Sequence, residues 1–326
     1  MGHDEVTARK NNKLRDYLQL TKPSLNIMVV FSSVVCYLLA PKVVEYDWVR
    51  IALLFVGGFL VTGSANAINQ AVEKDTDAVM KRTASRPVAS GRMDPAEAWT
   101  FAILTGMVGI TILGYFFNWQ CAALATLSLF LYAFVYTPLK KVNAIAVLIG
   151  AFPGALPCLI GWSAGNDSIF DTGNGWKDYG GWILFGIQFL WQFPHFWAIA
   201  WIAHKDYSGA GFKLLPSEKG PTKFTALQTI IYALLLIPVC TLPYLVNLTG
   251  SASLIVVMMA NIFLIIQCIR LYRSMDSRAA RRVMFSSYIY LPIVFLALLS
   301  DKIPNAASRY MGFEINNFSS LFFNWM

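Results

Sequence analysis

Charge is scarce in this sequence. Asp, Glu, Lys and Arg make up 13% of its 326 residues, about half the fraction usual in a soluble globular domain. So few charges cannot cover a water-facing surface, and 56% hydrophobic residues with a mean hydropathy of +0.53 exclude a soluble globular class. Cysteine is equally uninformative about chemistry. Cys36, Cys121, Cys158, Cys240 and Cys268 are odd in number, show no Cys-x-x-Cys spacing and fall in apolar stretches. They imply neither a disulfide framework nor a metal site and read as packing residues. A cleavable leader is not expected either, because the first 23 residues are polar and basic.

What fills the chain instead is apolar blocks of roughly 17–25 residues, the length of a helix crossing a bilayer. Nine stand near 24–40, 49–70, 96–117, 119–137, 143–164, 179–203, 223–246, 250–272 and 283–299. The expectation is an all-α polytopic membrane protein, a bundle of nine transmembrane helices around a central cavity, with the lipid bilayer as its first partner. With the N-terminus placed in the cytoplasm, 21 of the 26 Lys and Arg residues fall in inner segments. That asymmetry places the N-terminus inside and the C-terminus outside. The net charge of +8 is then mainly topology, the Arg270–Arg282 cluster included, and no nucleic-acid partner is expected. Three regions follow: a polar cytoplasmic arm over 1–21, an intramembrane domain over 22–300 and a short amphipathic outer tail over 301–326.

The polar residues that remain are concentrated. The second block ends in Asn66-Ala-Ile-Asn-Gln-Ala-Val-Glu-Lys-Asp-Thr-Asp77, and Met80-Lys-Arg-Thr-Ala-Ser-Arg-Pro87 follows closely. Asn69, Glu73 and Asp77 are four apart, which on a helix stacks them on one face at steps of about 6 Å. Two carboxylates and an amide make a ladder of hard oxygen donors suited to Mg²⁺. Lys81, Arg82 and Arg86 beside it are phosphate-binding types. Acids for a metal next to bases for an anion fit a metal diphosphate, while the plainer alternative is a mixed-charge loop. Lys22, before Pro23, lies at the same surface, and Tyr136-Thr-Pro-Leu-Lys-Lys141 brings a phenol and Lys140 to that depth. A bent, small-residue fifth block carries Gly150, Pro153, Gly154 and Pro157, irregularity that needs protein or a cavity beside it. The sixth block contains Trp191-Gln-Phe-Pro-His-Phe-Trp197. A Gln and a His inside a span call for partners, and His195 has two readings, a functional group or a cap for carbonyls freed by Pro194. That block ends at His204-Lys-Asp-Tyr207, a second polar element four spans after the first, which hints at duplication of a four-helix unit.

Asn69-x-x-x-Glu73-x-x-x-Asp77 with Met80-Lys-Arg-Thr-x-x-Arg-Pro87 resembles the first aspartate-rich motif of the UbiA-type intramembrane prenyltransferase superfamily. Leu20-Thr-Lys-Pro23, Tyr136-Thr-Pro-Leu-Lys140, Gly150-Ala-Phe-Pro-Gly-Ala-Leu-Pro157 and Gly161-Trp162 support the resemblance. Trp191-Gln-Phe-Pro-His-Phe196, Lys205-Asp-Tyr-x-x-Ala-Gly211 and Leu215-Pro216 are similar to the haem branch of that superfamily. The resemblance spans about residues 17–299. It implies farnesyl transfer from farnesyl diphosphate to a vinyl group of haem b, giving haem O, in the cell inner membrane with the site open to the cytoplasm. It implies Mg²⁺ on Asn69, Glu73, Asp77 and Asp206, and diphosphate on Lys22, Lys81, Arg82, Arg86, Lys140 and Lys205. It also implies haem on His195, Gln192 and Trp191, with a haem A synthase as a candidate partner. Two departures stand out: Glu73 where relatives often have Asp, and Asp206 alone where many carry two or more acids, which leaves a symmetric two-metal site in doubt. The alternatives are a sister enzyme acting on an aromatic or quinone precursor and, from another class, a membrane carrier, whose charges would lie nearer the midplane.

Overall fold

The computed structural model describes residues 13–170, 173, 175–217 and 219–304, so the outer parts of the expected arm and tail fall outside the described residues. Helices carry the architecture. In order they are α1 (Lys13–Thr21), α2 (Pro23–Leu39), α3 (Trp48–Val72), α4 (Lys74–Val79) and α5 (Pro95–Phe116). Next come α6 (Trp119–Phe130), which passes through a π-turn (Leu131–Tyr136) into α7 (Thr137–Leu139), then α8 (Ala146–Asn166), α9 (Gly180–Ile202) and α10 (His204–Gly209). The chain ends on α11 (Lys223–Leu245), α12 (Ser251–Ser274) and α13 (Ser277–Ser300).

Among the described residues eight helices are long and apolar enough to span a bilayer, and α1 with α2, bent by 44°, makes a ninth. These are the nine expected blocks. Apart from the bent first span, which already begins at Lys13, the largest displacement is at the last, which begins at Ser277 and not near 283: its basic first turns hide it from a hydropathy reading, and Asp276 caps it by accepting from Ala279 N (2.6 Å). Asp47, Asp94, Asn118 and Thr222 cap α3, α5, α6 and α11 in the same way.

Small residues bring the spans together. A Cβ on Gly109 would stand 2.8 Å from the Gly57 carbonyl oxygen, and one on Gly161 would collide with the Ser33 carbonyl. The α3–α5 and α2–α8 pairs therefore pack backbone against backbone, the close approach that replaces a hydrophobic drive inside lipid. The largest apolar core joins α2, α8, α9 and α11–α13 around Trp162, Leu184 and Phe295, while a smaller one around Leu20, Ala67 and Ile68 underlies the polar end of α3. Proline bends are met by side chains. Pro157 leaves the Pro153 carbonyl without its helical N–H, and Ser128 Oγ donates to it at 3.2 Å. At the opposite end of the bundle Lys302 Nζ donates to the carbonyls of Leu38, Ala40 and Val43 at 2.7–2.8 Å, joining the last span to the end of the first. Burial brings the pKa of that ammonium down to about 8. All five cysteines are free and buried, as packing residues are.

Candidate active site

The helix breaks in the middle of the ladder. Glu73 (φ −91°, ψ 15°) separates α3 from α4. The register survives the break, because Glu73 N donates to Asn69 O (2.9 Å) and Asp77 N to Glu73 O (2.7 Å). Asn69, Glu73 and Asp77 are all buried, and each faces a cation. Asn69 Oδ1 accepts from Lys22 Nζ at 3.3 Å, Glu73 Oε1 lies 2.6 Å from Lys140 Nζ, and Asp77 Oδ2 accepts from Arg86 Nη1 at 2.6 Å. The Glu73–Lys140 contact is a buried ion pair. Among the described residues Asp77 Oδ1 is buried without a hydrogen-bond partner, and a bare buried carboxylate oxygen is costly unless something charged completes it.

Each cation is held by a different device. The last carbonyls of α1 are gathered by α3: Gln70 Nε2 donates to Gln19 O and Leu20 O (3.1 Å each), and Asn66 Nδ2 donates to Thr21 O (3.3 Å). This fixes Lys22 at the break between α1 and α2 in a left-handed conformation (φ 49°). Such a backbone costs a lysine on the order of 1 kcal/mol and persists where surroundings impose it. Arg92 ties the loop carrying Arg86 to α1, donating to Asp16 Oδ1 and Gln19 Oε1 (3.0 Å each). Lys140 follows the π-turn, a feature common at functional sites. Pro138 there lacks an N–H, Thr137 Oγ1 donates to Tyr132 O (2.8 Å), and Asn69 Nδ2 donates to Thr137 Oγ1 (3.4 Å). Lys140 Nζ sits 4.7 Å from the Tyr136 ring centre and 5.6 Å from that of Phe212. Burial lowers the Lys140 pKa, with the Glu73 carboxylate pulling the other way.

The second polar element repeats the first in backbone. Ala203 (φ −93°, ψ 14°) separates α9 from α10, with Ala203 N on Ile199 O (2.9 Å) and Tyr207 N on Ala203 O (3.0 Å). Ile199, Ala203 and Tyr207 thus stand where Asn69, Glu73 and Asp77 stand in the first. Tyr207 OH accepts from Arg82 Nη2 (2.9 Å), and the guanidinium also lies 5.6 Å from its ring centre, so this pair joins the two elements. Burial raises the Tyr207 pKa and keeps the phenol neutral. Asp206 is half-buried, and Lys81 and Lys205 are exposed. Among the described residues no three His, Cys, Asp or Glu side chains cluster to hold a metal. Glu73, Asp77 and Asp206 therefore do not form such a cluster, and the oxygen donors on the ladder itself are Asn69, Glu73 and Asp77.

Deeper in α9, Gln188, Trp191, Gln192 and His195 fall within an arc of about 100° on one helix face. Gln192 Nε2 donates to Ala151 O (2.9 Å) and Gln188 O (3.2 Å), and a Cβ on Gly154 would collide with its side chain. Trp191 Nε1 donates to Ser287 O (2.9 Å). His195 Nδ1 pairs with Ser287 Oγ (2.8 Å) of α13, so it does not cap the carbonyl that Pro194 frees.

Interleaved acids and bases at one end of a membrane bundle suit a site that takes a polyanion together with a metal ion. A model of the UbiA prenyltransferase family matches residues 29–291. The chain is 43% identical over 293 residues to a protoheme IX farnesyltransferase of Cytophaga hutchinsonii, covering 90% of this chain and 99% of the relative. It is 40% identical over 293 residues to one of Flavobacterium johnsoniae, covering 88% and 94%. Its fold matches a digeranylgeranylglyceryl phosphate synthase structure with a TM-score of 0.70 at 21% identity, covering 89% and 98%. A UbiA homolog from Archaeoglobus fulgidus bound to GPP and Mg²⁺ matches with 0.62 at 15% identity, covering 87% and 99%. The chain belongs to the UbiA prenyltransferase family, and it is an enzyme of that family.

Sequence reasoning passed over four contributors: Asn66 and Gln70, which seat Lys22, and Thr137 and Ser287, which touch Asn69 and His195. Pro138 was a signal for the first of the latter pair, since a proline there must disturb the helix before it. Ser287 carried none, lying 92 residues from its partner.

Proposed function

We propose that this enzyme transfers the farnesyl group of farnesyl diphosphate to a vinyl group of haem b, giving haem O and diphosphate. The observation that carries the reading is 43% identity over 99% of a relative named for that reaction, on a chain whose ladder keeps a buried acid–base cradle. Asn69, Glu73 and the bare Asp77 Oδ1 are hard oxygen donors and fit Mg²⁺. Bound there, the ion would supply positive charge to the leaving diphosphate. Arg86 and Lys140 now neutralise Asp77 and Glu73, and Lys22 rests on the Asn69 amide oxygen. On substrate binding Arg86 and Lys140 turn from carboxylate to phosphate oxygens and Lys22 turns from the Asn69 amide oxygen, so partners are exchanged and no charge is newly buried alone. Arg82, held by Tyr207, adds a further cation from the loop.

The allylic C–O bond then breaks with its electron pair going to the diphosphate. The freed carbon bonds the terminal vinyl carbon of haem, and a water oxygen adds to the other vinyl carbon and loses its proton. Cations fixed before the reaction stabilise the leaving charge without reorganising. The apolar spans around the chain keep other water away. His195, with Trp191 stacked on it, serves the haem side, and the cradle serves the diphosphate side.

The cradle faces the cytoplasm in the inner membrane, and a lipophilic product passing within the bilayer makes a haem A synthase its expected receiver. Both parts have tests. The purified full chain in detergent with haem b, farnesyl diphosphate and Mg²⁺ should convert haem b to haem O by mass analysis; unchanged haem would overturn the assignment. A cysteine at Ala84, in a background without the native five, should react with an impermeant thiol reagent only from the inner side. Labelling of intact cells would reverse the orientation.

A further inference from the structure

We infer that Ser287 is a positioning residue: it fixes His195 as the tautomer protonated on Nδ1, leaving Nε2 as the lone pair that ligates the iron of the haem substrate. Ser287 Oγ sits between two acceptors, His195 Nδ1 at 2.8 Å and Met284 O at 2.7 Å, and has one proton to give. A helical serine ordinarily donates to the carbonyl three or four residues back. With the proton committed to Met284, Oγ can only accept, so Nδ1 must carry the hydrogen. His195 is 7% exposed, and its Nε2 has no hydrogen-bond partner among the described residues.

The ring cannot easily turn away from this arrangement. Trp191 stacks on it at 4.8 Å with planes 17° apart, and Tyr288 meets it edge-on at 4.7 Å. Trp191 is itself held by Ser287, whose carbonyl accepts its indole N–H at 2.9 Å. One residue of α13 therefore grips both rings, its hydroxyl on the imidazole and its carbonyl on the indole. The other polar groups of this α9 face have spent their donors on backbone: both Gln192 contacts go to carbonyls, and Gln188 Nε2 donates to Gly154 O at 2.7 Å. Nε2 of His195 and Oε1 of Gln192 are the acceptors of this face left without a hydrogen-bond partner among the described residues. His195 lies seven residues before the end of α9, about 10 Å from that end along the axis. An outer acceptor on the second ring nitrogen orients a ligating histidine and raises its basicity, and a neutral imidazole nitrogen is a common axial ligand of haem iron.

The inference rests on the haem reading, and its test separates the two. The full chain in detergent is titrated with ferric haem b, followed by absorption spectrum, and in parallel with farnesyl diphosphate. Wild type should give a nitrogen-ligated haem spectrum. Ser287→Ala should shift it and weaken haem affinity by about 10–100-fold while farnesyl diphosphate affinity holds. His195→Gly should lose the ligated spectrum and regain it with added imidazole. A Ser287→Ala protein with wild-type spectrum and haem affinity would overturn the inference and leave the enzyme assignment standing. Equal loss of both substrates would overturn it as mere packing. A wild-type spectrum without nitrogen ligation would overturn it while haem O formation, measured by mass, still judged the function.

Discussion

At Glu73 and at Ala203 the chain turns through nearly the same angles, φ −91° and ψ 15° in one, φ −93° and ψ 14° in the other. Each turn joins a long span to a six-residue helix, and each keeps its i→i−4 hydrogen bonds across the break. The side chains on the two are unlike. Asn69, Glu73 and Asp77 face three cations, whereas Ile199, Ala203 and Tyr207 offer one phenol and no charge. A shared backbone with divergent side chains is what duplication of a four-helix unit would leave. It also shows that the kink belongs to the fold and the chemistry to whichever residues occupy it. The first junction is the charged station, and the second closes over it through Arg82 and Tyr207.

The largest effect that can test this division is at the charged station. Asp77→Asn preserves shape and removes the charge whose one oxygen holds Arg86 and whose other has no partner. Turnover should fall by about 10²–10³-fold or more, as when a fixed charge or donor is taken from a leaving-group site. Thermal stability should hold, because the amide keeps the size of the acid. Glu73→Gln should behave alike. An Asp77→Asn enzyme with near-wild-type turnover would end the claim that the two junctions differ in function.

What was legible beforehand follows the same line. Span number and position could be read because lipid imposes length and hydropathy on each segment separately. The ladder could be read because i+4 spacing is a local property, and it survives the break at Glu73. The resemblance to a prenyltransferase motif lay in contiguous residues as well. Side-chain geometry between distant segments could not be read. The left-handed Lys22 depends on Asn66 and Gln70 more than 40 residues away, and the aim of Thr137 depends on a π-turn that no periodicity announces. Nor could spacing tell that Tyr207, and not its neighbour Asp206, would take the place equivalent to Asp77.

The contact that joins the stations should have an intermediate effect. Tyr207→Phe keeps the ring beneath the Arg82 guanidinium and deletes the hydroxyl that accepts from Nη2 at 2.9 Å. One hydrogen bond to an exposed cation is worth about 1 kcal/mol, so kcat/KM for farnesyl diphosphate should fall by about three- to tenfold. The loss should appear mostly in KM, because Arg82 remains present and only its placement loosens. Kinetics indistinguishable from wild type would show that the second junction contributes shape alone.

The smallest effect is expected at Asp206, and it bears most directly on the comparison. A site with acids at both stations would hold metal symmetrically, and Asp206→Asn would then cost as much as Asp77→Asn. Here Asp206 is half-buried, does not cluster with Glu73 and Asp77, and sits one residue away from the position that matches Asp77. On α10 that single residue turns the side chain by about 100°. A carboxylate outside that cluster would act on an ion at the ladder only through screened charge, which leaves little of its effect. The Asp206→Asn loss in turnover should therefore be smaller than that of Asp77→Asn by at least about a factor of ten, with the Mg²⁺ concentration for half-maximal rate changed less than in Asp77→Asn. Equal losses, or a comparable rise in the Mg²⁺ requirement, would return Asp206 to the metal shell and make the two stations chemical as well as structural counterparts.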